Sequence, residues 1–452
     1  MRRKDGAPAQ PRVSERAGRT LKINLMQQIP FDPANAAEAM RQLPRAAAVF
    51  ALYGADAHAE PYIGRTPNLR GRLERLLQPS EKHPRRLQLA GRVRRIEWQL
   101  TGSDFESLLT QFSLLERVFG TKALERMHLR APAFVRFLGG NPYPRITVTN
   151  KPSQREADWA YGPFASRAAA ERYAEEALKL FLLRRCVDDL NPDPSFPGCV
   201  YSEMKMCLAP CYKGCTDERY AEESAAVQDF FATRGESKLV VLRGQRDEAS
   251  ANLEFETAAA LHAQVQKVES VRALASELVR PLSRLRAVIL QTSANPDEVI
   301  VFAFDEQRLR GPVGFSTLGM RIQNEQSGST SLYAQPMVLE PVPEEQGSGV
   351  GDQGVETGGV GTKAPGTAAA RSARGLIEAR MEAVLTELTR PAGLPHAVVR
   401  QGHLALLKRW YYRPEARRVG EIFFPDVEGR WPVRAVLRGV GRVAAKRLAG
   451  QT

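Results

Sequence analysis

The 452 residues carry 64 Lys and Arg against 51 acidic side chains, a net charge of +13. A chain this long implies more than one hydrophobic core, since single cores rarely grow beyond ~250–300 residues. The 43% hydrophobic fraction is that of ordinary globular protein, and no run approaches the ~20 apolar residues of a membrane-spanning helix.

Met1 to Thr20 is basic but has no apolar centre, so it is not a secretory signal; residues 1–30 are expected to form a disordered arm. A cytoplasmic location and reduced thiols follow as expectations. Ala36–Leu43 reads as a short helix stopped by Pro44. Ala46–Tyr53 is an apolar strand, and Pro61–Gly64 starts its hairpin partner. Leu69, Leu73, Leu76 and Leu77 have helical spacing. Arg94–Leu100 is strand-like, and Ser103 is placed to cap a helix bearing Leu108, Leu109, Phe112 and Leu115. Residues 31–150 thus form a small α+β unit.

Charge is unevenly spread. Pro61 to Arg95 holds ten Lys/Arg and two acids; Arg400 to Arg447 holds twelve against four. Two separate basic stretches suit a protein that grips a long phosphate backbone at two places. All five cysteines fall between Cys186 and Cys215. Twelve residues separate Cys186 from Cys199, seven separate Cys199 from Cys207, and three separate Cys207 from Cys211. Four soft ligands so spaced fit zinc or an iron–sulfur centre about equally. Residues 151–230 form this cysteine-cluster region.

Residues 231–275 read as a helical hairpin broken near Asn252, with Ala258, Leu261, Val265, Val268 and Val271 on one face. Residues 276–342 form a β-rich segment, with strands Ala287–Leu290 and Val299–Phe304. Gln346 to Thr367 contains eight glycines, so 343–375 is expected to be a flexible linker. Residues 376–452 form a basic C-terminal region with a helix over Leu376–Leu388. Trp410, Tyr411 and Tyr412 there suit either base stacking or a small core.

Several of these motifs carry a resemblance. Ala48-Val49-Phe50, Tyr62-Ile63-Gly64-Arg65, Asn68-Leu69 and Arg72 resemble the GIY-YIG nuclease domain of the UvrC family of excision-repair proteins. Tyr161-Gly-Pro-Phe164 and Cys199-Val-Tyr-Ser-Glu-Met-Lys-Met-Cys207-Leu-Ala-Pro-Cys211 are similar to its cysteine region. Asn252-Leu-Glu-Phe-Glu-Thr-Ala-Ala259 resembles the UVR motif. The resemblance implies a multidomain α+β protein of nucleotide excision repair that makes one metal-dependent phosphodiester incision. It implies that Tyr62 assists the nucleophile, that Arg65 and Arg72 clamp phosphate, and that Mg or Mn serves the cut. It further implies a 4Fe–4S cluster on Cys186, Cys199, Cys207 and Cys211, and a UvrB-like partner held by residues 237–272. Cys215 matches no ligand.

This sequence departs from the family at two positions. Phe50 replaces the first motif tyrosine, and Gln111 stands where a glutamate holds the metal. Glu106 is then the acid to consider as a replacement ligand. The alternative to a nuclease is a catalytically degenerate DNA- and UvrB-binding adaptor. No counterpart of the family's second, RNase H-like nuclease is found, as in its short, Cho-like members. Leu437-Arg-Gly-Val-Gly441-Arg-Val-Ala-Ala445 fits a partial helix–hairpin–helix.

Overall fold

A computed structural model describes residues 27–56, 58–77, 89–187, 190–318, 320 and 366–449. The arm up to residue 26 and the glycine-rich linker up to residue 365 lie outside the described residues. The chain builds three four-stranded antiparallel sheets with helices between and around them.

The first sheet has the order β1-β4-β2-β3, from β1 (Gln27–Pro30), β2 (Ala48–Gly54), β3 (Tyr62–Thr66) and β4 (Val93–Leu100). β1 falls within the segment read as a disordered arm; its short mixed sequence lacks the apolar alternation that marks a strand. α1 (Ala36–Gln42) and α2 (Leu69–Leu77) cover one face. There Phe50, Leu52, Ile96 and Trp98 meet Leu43, Leu69, Leu73 and Leu77. The opposite face presents Val49 and Ala51 to Leu114 of α3 (Asp104–Phe119). Side chains alternate across a strand, so both apolar sets come from one short run.

After the single-turn α4 (Ala123–Arg126), the second sheet has the order β6-β5-β7-β8. Its strands are β5 (Ala133–Phe137), β6 (Ile146–Thr149), β7 (Ala160–Phe164) and β8 (Arg280–Pro281). α5 (Arg167–Leu178) leads to the cysteine segment, which contains the single-turn α6 (Val200–Glu203). α7 (Asp217–Ala232), α8 (Glu236–Ala251) and α9 (Phe255–Ala273) follow. Tyr161, Phe164, Tyr173, Tyr220, Phe230, Phe231, Val265 and Val268 form one core that fixes these helices to the sheet.

The third sheet has the order β11-β10-β9-β12, from β9 (Ala287–Thr292), β10 (Glu298–Asp305), β11 (Arg308–Ser316) and β12 (Glu421–Phe423). Both faces are buried, which explains the nearly unbroken apolar runs of β9 and β10. Val288, Leu290, Val301 and Ala303 face α10 (Gly366–Leu388) and α12 (Val433–Ala449). Ala287, Ile289, Ile300, Phe302 and Phe304 face α11 (Ala397–Tyr411) and α3.

Three expectations for the C-terminal third need correction. Residues 276–342 and 376–452 are not separate units, because β12 pairs with β9 through Glu421–Phe423. The last residues of the expected linker, from Gly366, open α10, where Ala368, Ala369, Ala370 and Ala373 favour helix. The partial helix–hairpin–helix is instead one continuous helix, α12. Gly439 serves packing rather than a turn: a Cβ there would lie 2.4 Å from the Phe423 ring. Trp410 is buried in the core, which decides its role. No helix among the described residues is long and apolar enough to cross a membrane.

Candidate functional site

β2 and β3 place the first motif residues. Phe50 pairs across the strands with Gly64, where a Cβ would lie 2.8 Å from the end of the Phe50 ring. Gly64 is therefore needed to seat that fully buried phenyl. Tyr62 lies on the same face, its ring centroid 6.1 Å from that of Phe50. α2 starts where the Asn68 side chain accepts the Gly71 N–H at 3.0 Å. Arg70 is used structurally, donating to the Leu43 carbonyl at 2.7 Å and the Arg41 carbonyl at 2.9 Å. Arg72, one turn into the helix, points a guanidinium N–H at the Tyr62 hydroxyl at 3.5 Å.

The structure thus brings Tyr62 and Arg72 together but sends Arg65 elsewhere. Strand alternation turns Arg65 to the opposite face, where it pairs with Asp104 at the start of α3. Arg413, just past α11, pairs with the other oxygen of the same carboxylate. Burial pushes the Asp104 carboxyl up, but the hydrogen bonds and charges of Arg413 and Arg65 outweigh it and hold it below the usual range.

Glu106 is 4% exposed and belongs to a different structure. Its carboxylate accepts the Gly102 N–H at 2.7 Å, while Ser103 caps α3 by accepting the Glu106 N–H at 3.1 Å. Burial pushes the Glu106 carboxyl up to about 7, with the Gly102 bond opposing. The turn so closed is pressed on the third sheet. Thr292 donates to the Gly102 carbonyl at 2.7 Å, and a Cβ on Gly102 would lie 2.1 Å from the Ser293 carbonyl carbon. Gln111, half-buried on α3, offers a neutral amide beside the buried Phe112.

The cysteine segment is held from below. Buried Arg184 donates to the Tyr143 carbonyl at 2.9 Å and toward the Cys186 sulfur at 3.5 Å. The Tyr220 hydroxyl receives the Arg184 N–H at 3.2 Å and donates to the Pro144 carbonyl at 2.8 Å. Ala209 donates its N–H to the Cys207 sulfur at 3.3 Å. Lys205, Ala209 and Lys213 take left-handed backbone conformations, tight bends that turn the chain around Cys207 and Cys211. Burial pushes the Cys207 thiol up to about 11, and the neighbouring thiols Cys186, Cys211 and Cys199 add to the rise. Cys215 is also raised, by burial and then Asp217, but none of the other cysteines contributes. The charges of Cys186, Cys199 and Cys211 thus act on Cys207, and Cys215 does not join them. Among the described residues no three His, Cys, Asp or Glu side chains are placed to hold a single metal ion. By donor chemistry the set still fits a thiolate-bound centre: four soft ligands, with N–H groups of Arg184 and Ala209 aimed at sulfur.

The helical hairpin is anchored at one end and bare at the other. Leu239, Leu242, Val265, Val268 and Val271 sit in the second core. At the tip, Leu253 is 72% exposed and Phe255 65% exposed.

Of these features, the cysteine segment is the one covered by a known family pattern. The pattern of the UvrC/Cho excinuclease middle domain matches residues 134–230, which span most of the second sheet, α5, α7 and every cysteine. UvrABC system protein C of Alcanivorax borkumensis is 28% identical over 211 residues, covering 47% of this chain and 34% of that protein. The proteins of the same name from Carboxydothermus hydrogenoformans and Desulforudis audaxviator are 25% and 28% identical. They cover 62% and 69% of this chain, and 46% and 52% of their own lengths. The chain is UvrC-like. It spans about a third to a half of the length of these relatives. No solved structure matches.

The UvrC/Cho pattern does not reach Tyr62, Arg65, Arg72, Glu106 or Gln111. Two residues at the first-domain surface escaped the sequence reading. Asp104 looked like an ordinary acid in a helix's first turn, and Arg413 was one cation among twelve in its stretch. Neither had a sequence signal, since the pairing joins residues 309 positions apart.

Proposed function

We propose that this UvrC-like chain is a DNA-binding protein of nucleotide excision repair that acts as an adaptor rather than a nuclease. One observation carries the reading. Glu106, the acid available to replace the ligand lost at Gln111, is committed to closing the β4–α3 turn against the third sheet. A neutral glutamine is a poor ligand for Mg²⁺. On the other face of the sheet, beside Tyr62, Phe50 removes a further polar group, because its buried ring offers no hydroxyl. In this reading the two basic stretches bind duplex DNA, and the exposed tip of the α8–α9 hairpin takes a UvrB-like partner through residues 237–272. Cys186, Cys199, Cys207 and Cys211 hold a 4Fe–4S cluster, with zinc as the alternative, as a structural joint between the two.

The second reading, a single-incision endonuclease, is favoured by the surviving Tyr62–Arg72 pair. There Arg72 would orient the Tyr62 hydroxyl and steady the attacked phosphate. The divalent metal, Mg or Mn, would supply Lewis-acid stabilisation of the leaving oxygen.

One assay separates them. The purified chain is incubated with a lesion-bearing duplex, UvrA, UvrB and Mg²⁺ or Mn²⁺, and nicks are counted. DNA binding without nicking is the expected result. A nick that disappears in Tyr62→Phe or Arg72→Ala overturns the adaptor reading.

A further inference from the structure

The two basic stretches, 305 positions apart in sequence at their nearest ends, Arg95 and Arg400, meet in the fold. The meeting point is Asp104. One oxygen pairs with Arg65 at the edge strand β3, and the other with Arg413 at the end of α11. All three side chains keep part of their surface in water, 35%, 38% and 28% for Arg65, Asp104 and Arg413. Asp104 engages one terminal nitrogen on each arginine. Each guanidinium has five N–H donors in a planar fork, so most of its donor capacity lies beyond the carboxylate. The site carries two positive charges against one negative. It also sits on the first turn of a sixteen-residue helix, whose N–H groups and dipole add positive potential. Arg417, exposed, and Arg418, stacked on Tyr411, extend the cationic surface past Arg413.

We infer that Arg65 and Arg413 form one composite phosphate-binding site on the DNA surface, with Asp104 as the residue that positions the pair and holds its affinity down. This rests on the DNA-binding part of the proposed function and gives it a place. The ligand is a backbone phosphodiester of duplex DNA lying across the seam between the first and third sheets. No base contact is involved, so the site is indifferent to sequence. Asp104 keeps the two guanidiniums splayed at a fixed separation when DNA is absent. When a phosphate arrives, it shares them with a carboxylate that repels it. The arrangement favours binding that is oriented but readily reversed.

The sign of the Asp104 effect distinguishes this from a purely structural ion pair. Affinity of the full chain for a fluorescent duplex is measured by anisotropy over a range of salt concentrations. Each phosphate contact contributes about 0.9 to the slope of log K against log salt, or about eightfold in affinity between 1 M and 0.1 M salt. Arg65→Gln and Arg413→Gln should each lower the slope by about one and weaken binding at 0.1 M by roughly five- to tenfold. Asp104→Asn should tighten binding, because the repelling carboxylate is gone. Arg413→Lys keeps the charge and should retain most of the slope; it serves if Arg413→Gln fails to fold, as judged by thermal unfolding. Parent protein that binds DNA while Arg413→Gln and Asp104→Asn leave affinity and slope unchanged overturns the inference and spares the DNA-binding reading. Parent protein that binds no duplex overturns both.

Discussion

Glu106→Gln tests the observation on which the adaptor reading depends. Burial holds the Glu106 carboxyl near 7 in the folded chain, from an ordinary value of 4.5. The folded state therefore keeps a proton that the unfolded state releases between these values. Stability from this group is complete below about pH 4.5 and is lost as pH rises through 7. At 1.36 kcal/mol per unit, the whole shift corresponds to about 3 kcal/mol, of which about 2.5 falls between pH 5 and 8.5. A glutamine accepts the same Gly102 N–H without ever ionising. The variant should therefore gain on the parent by about 2.5 kcal/mol over that range, read from urea midpoints followed by tryptophan fluorescence. His403 runs the other way: burial pushes its imidazole down to about 3, so its contribution is lost as pH falls from 6.5 toward 3. That dependence is common to both proteins and cancels in the difference. Parallel stability curves for parent and variant would refute the argument. So would Mn²⁺ that stabilises the parent and not the variant, since ligand binding to the folded state alone raises stability and would make Glu106 a metal ligand after all.

Further outcomes follow from the packing and the cysteine segment. Gly402→Ala on α11 puts a Cβ 2.1 Å from the Phe112 ring, so overpacking of about 1–3 kcal/mol should exceed the ~1 kcal/mol helix gain and lower the melting temperature. Replacing Cys207 by Ser should abolish the visible absorption and bound iron of anaerobically purified protein, whereas Cys215→Ser should leave both intact. Colourless parent protein holding one zinc per chain would instead favour the zinc alternative. Phe255→Ser should weaken capture by immobilised UvrB at least tenfold with an unchanged melting temperature, because the side chain is exposed.

Local signals made most elements legible. The strand pair at Ala48 and Tyr62, the Ser103 cap and the break at Asn252 each rest on neighbouring residues, and all are found where the pattern places them. The ligand set is not among these: Cys215 follows Cys211 at the same three-residue gap that separates Cys207 from Cys211, so spacing does not set it apart. What sequence did not carry was long-range partnership. β12 is three residues long and half-buried, so nothing marks it as the neighbour of β9. Gly439 and Gly441 look like turn residues until Phe423 is seen to need the space at Gly439. Likewise Glu106 reads as a spare acid until its partner Gly102 is found wedged against Ser293.

Helix α3 shows how misleading chain order is as a guide to separable pieces. Only Leu114 faces the cluster formed by Val49 and Ala51 of its own sheet, while Phe105, Leu108, Leu109, Phe112 and Leu115 are roofed by α11 and the third sheet. A fragment ending near residue 150 would strip that roof from the five side chains and leave them only the cluster's N-terminal members, such as Ala123 and Phe134. At up to about 1.5–3 kcal/mol for each side chain so exposed, the loss is comparable with the whole stability of a typical domain. The N-terminal unit is thus not portable. Exchange of the C-terminal third with a relative would have to bring matching α3 residues along, which ties the inheritance of the two ends together.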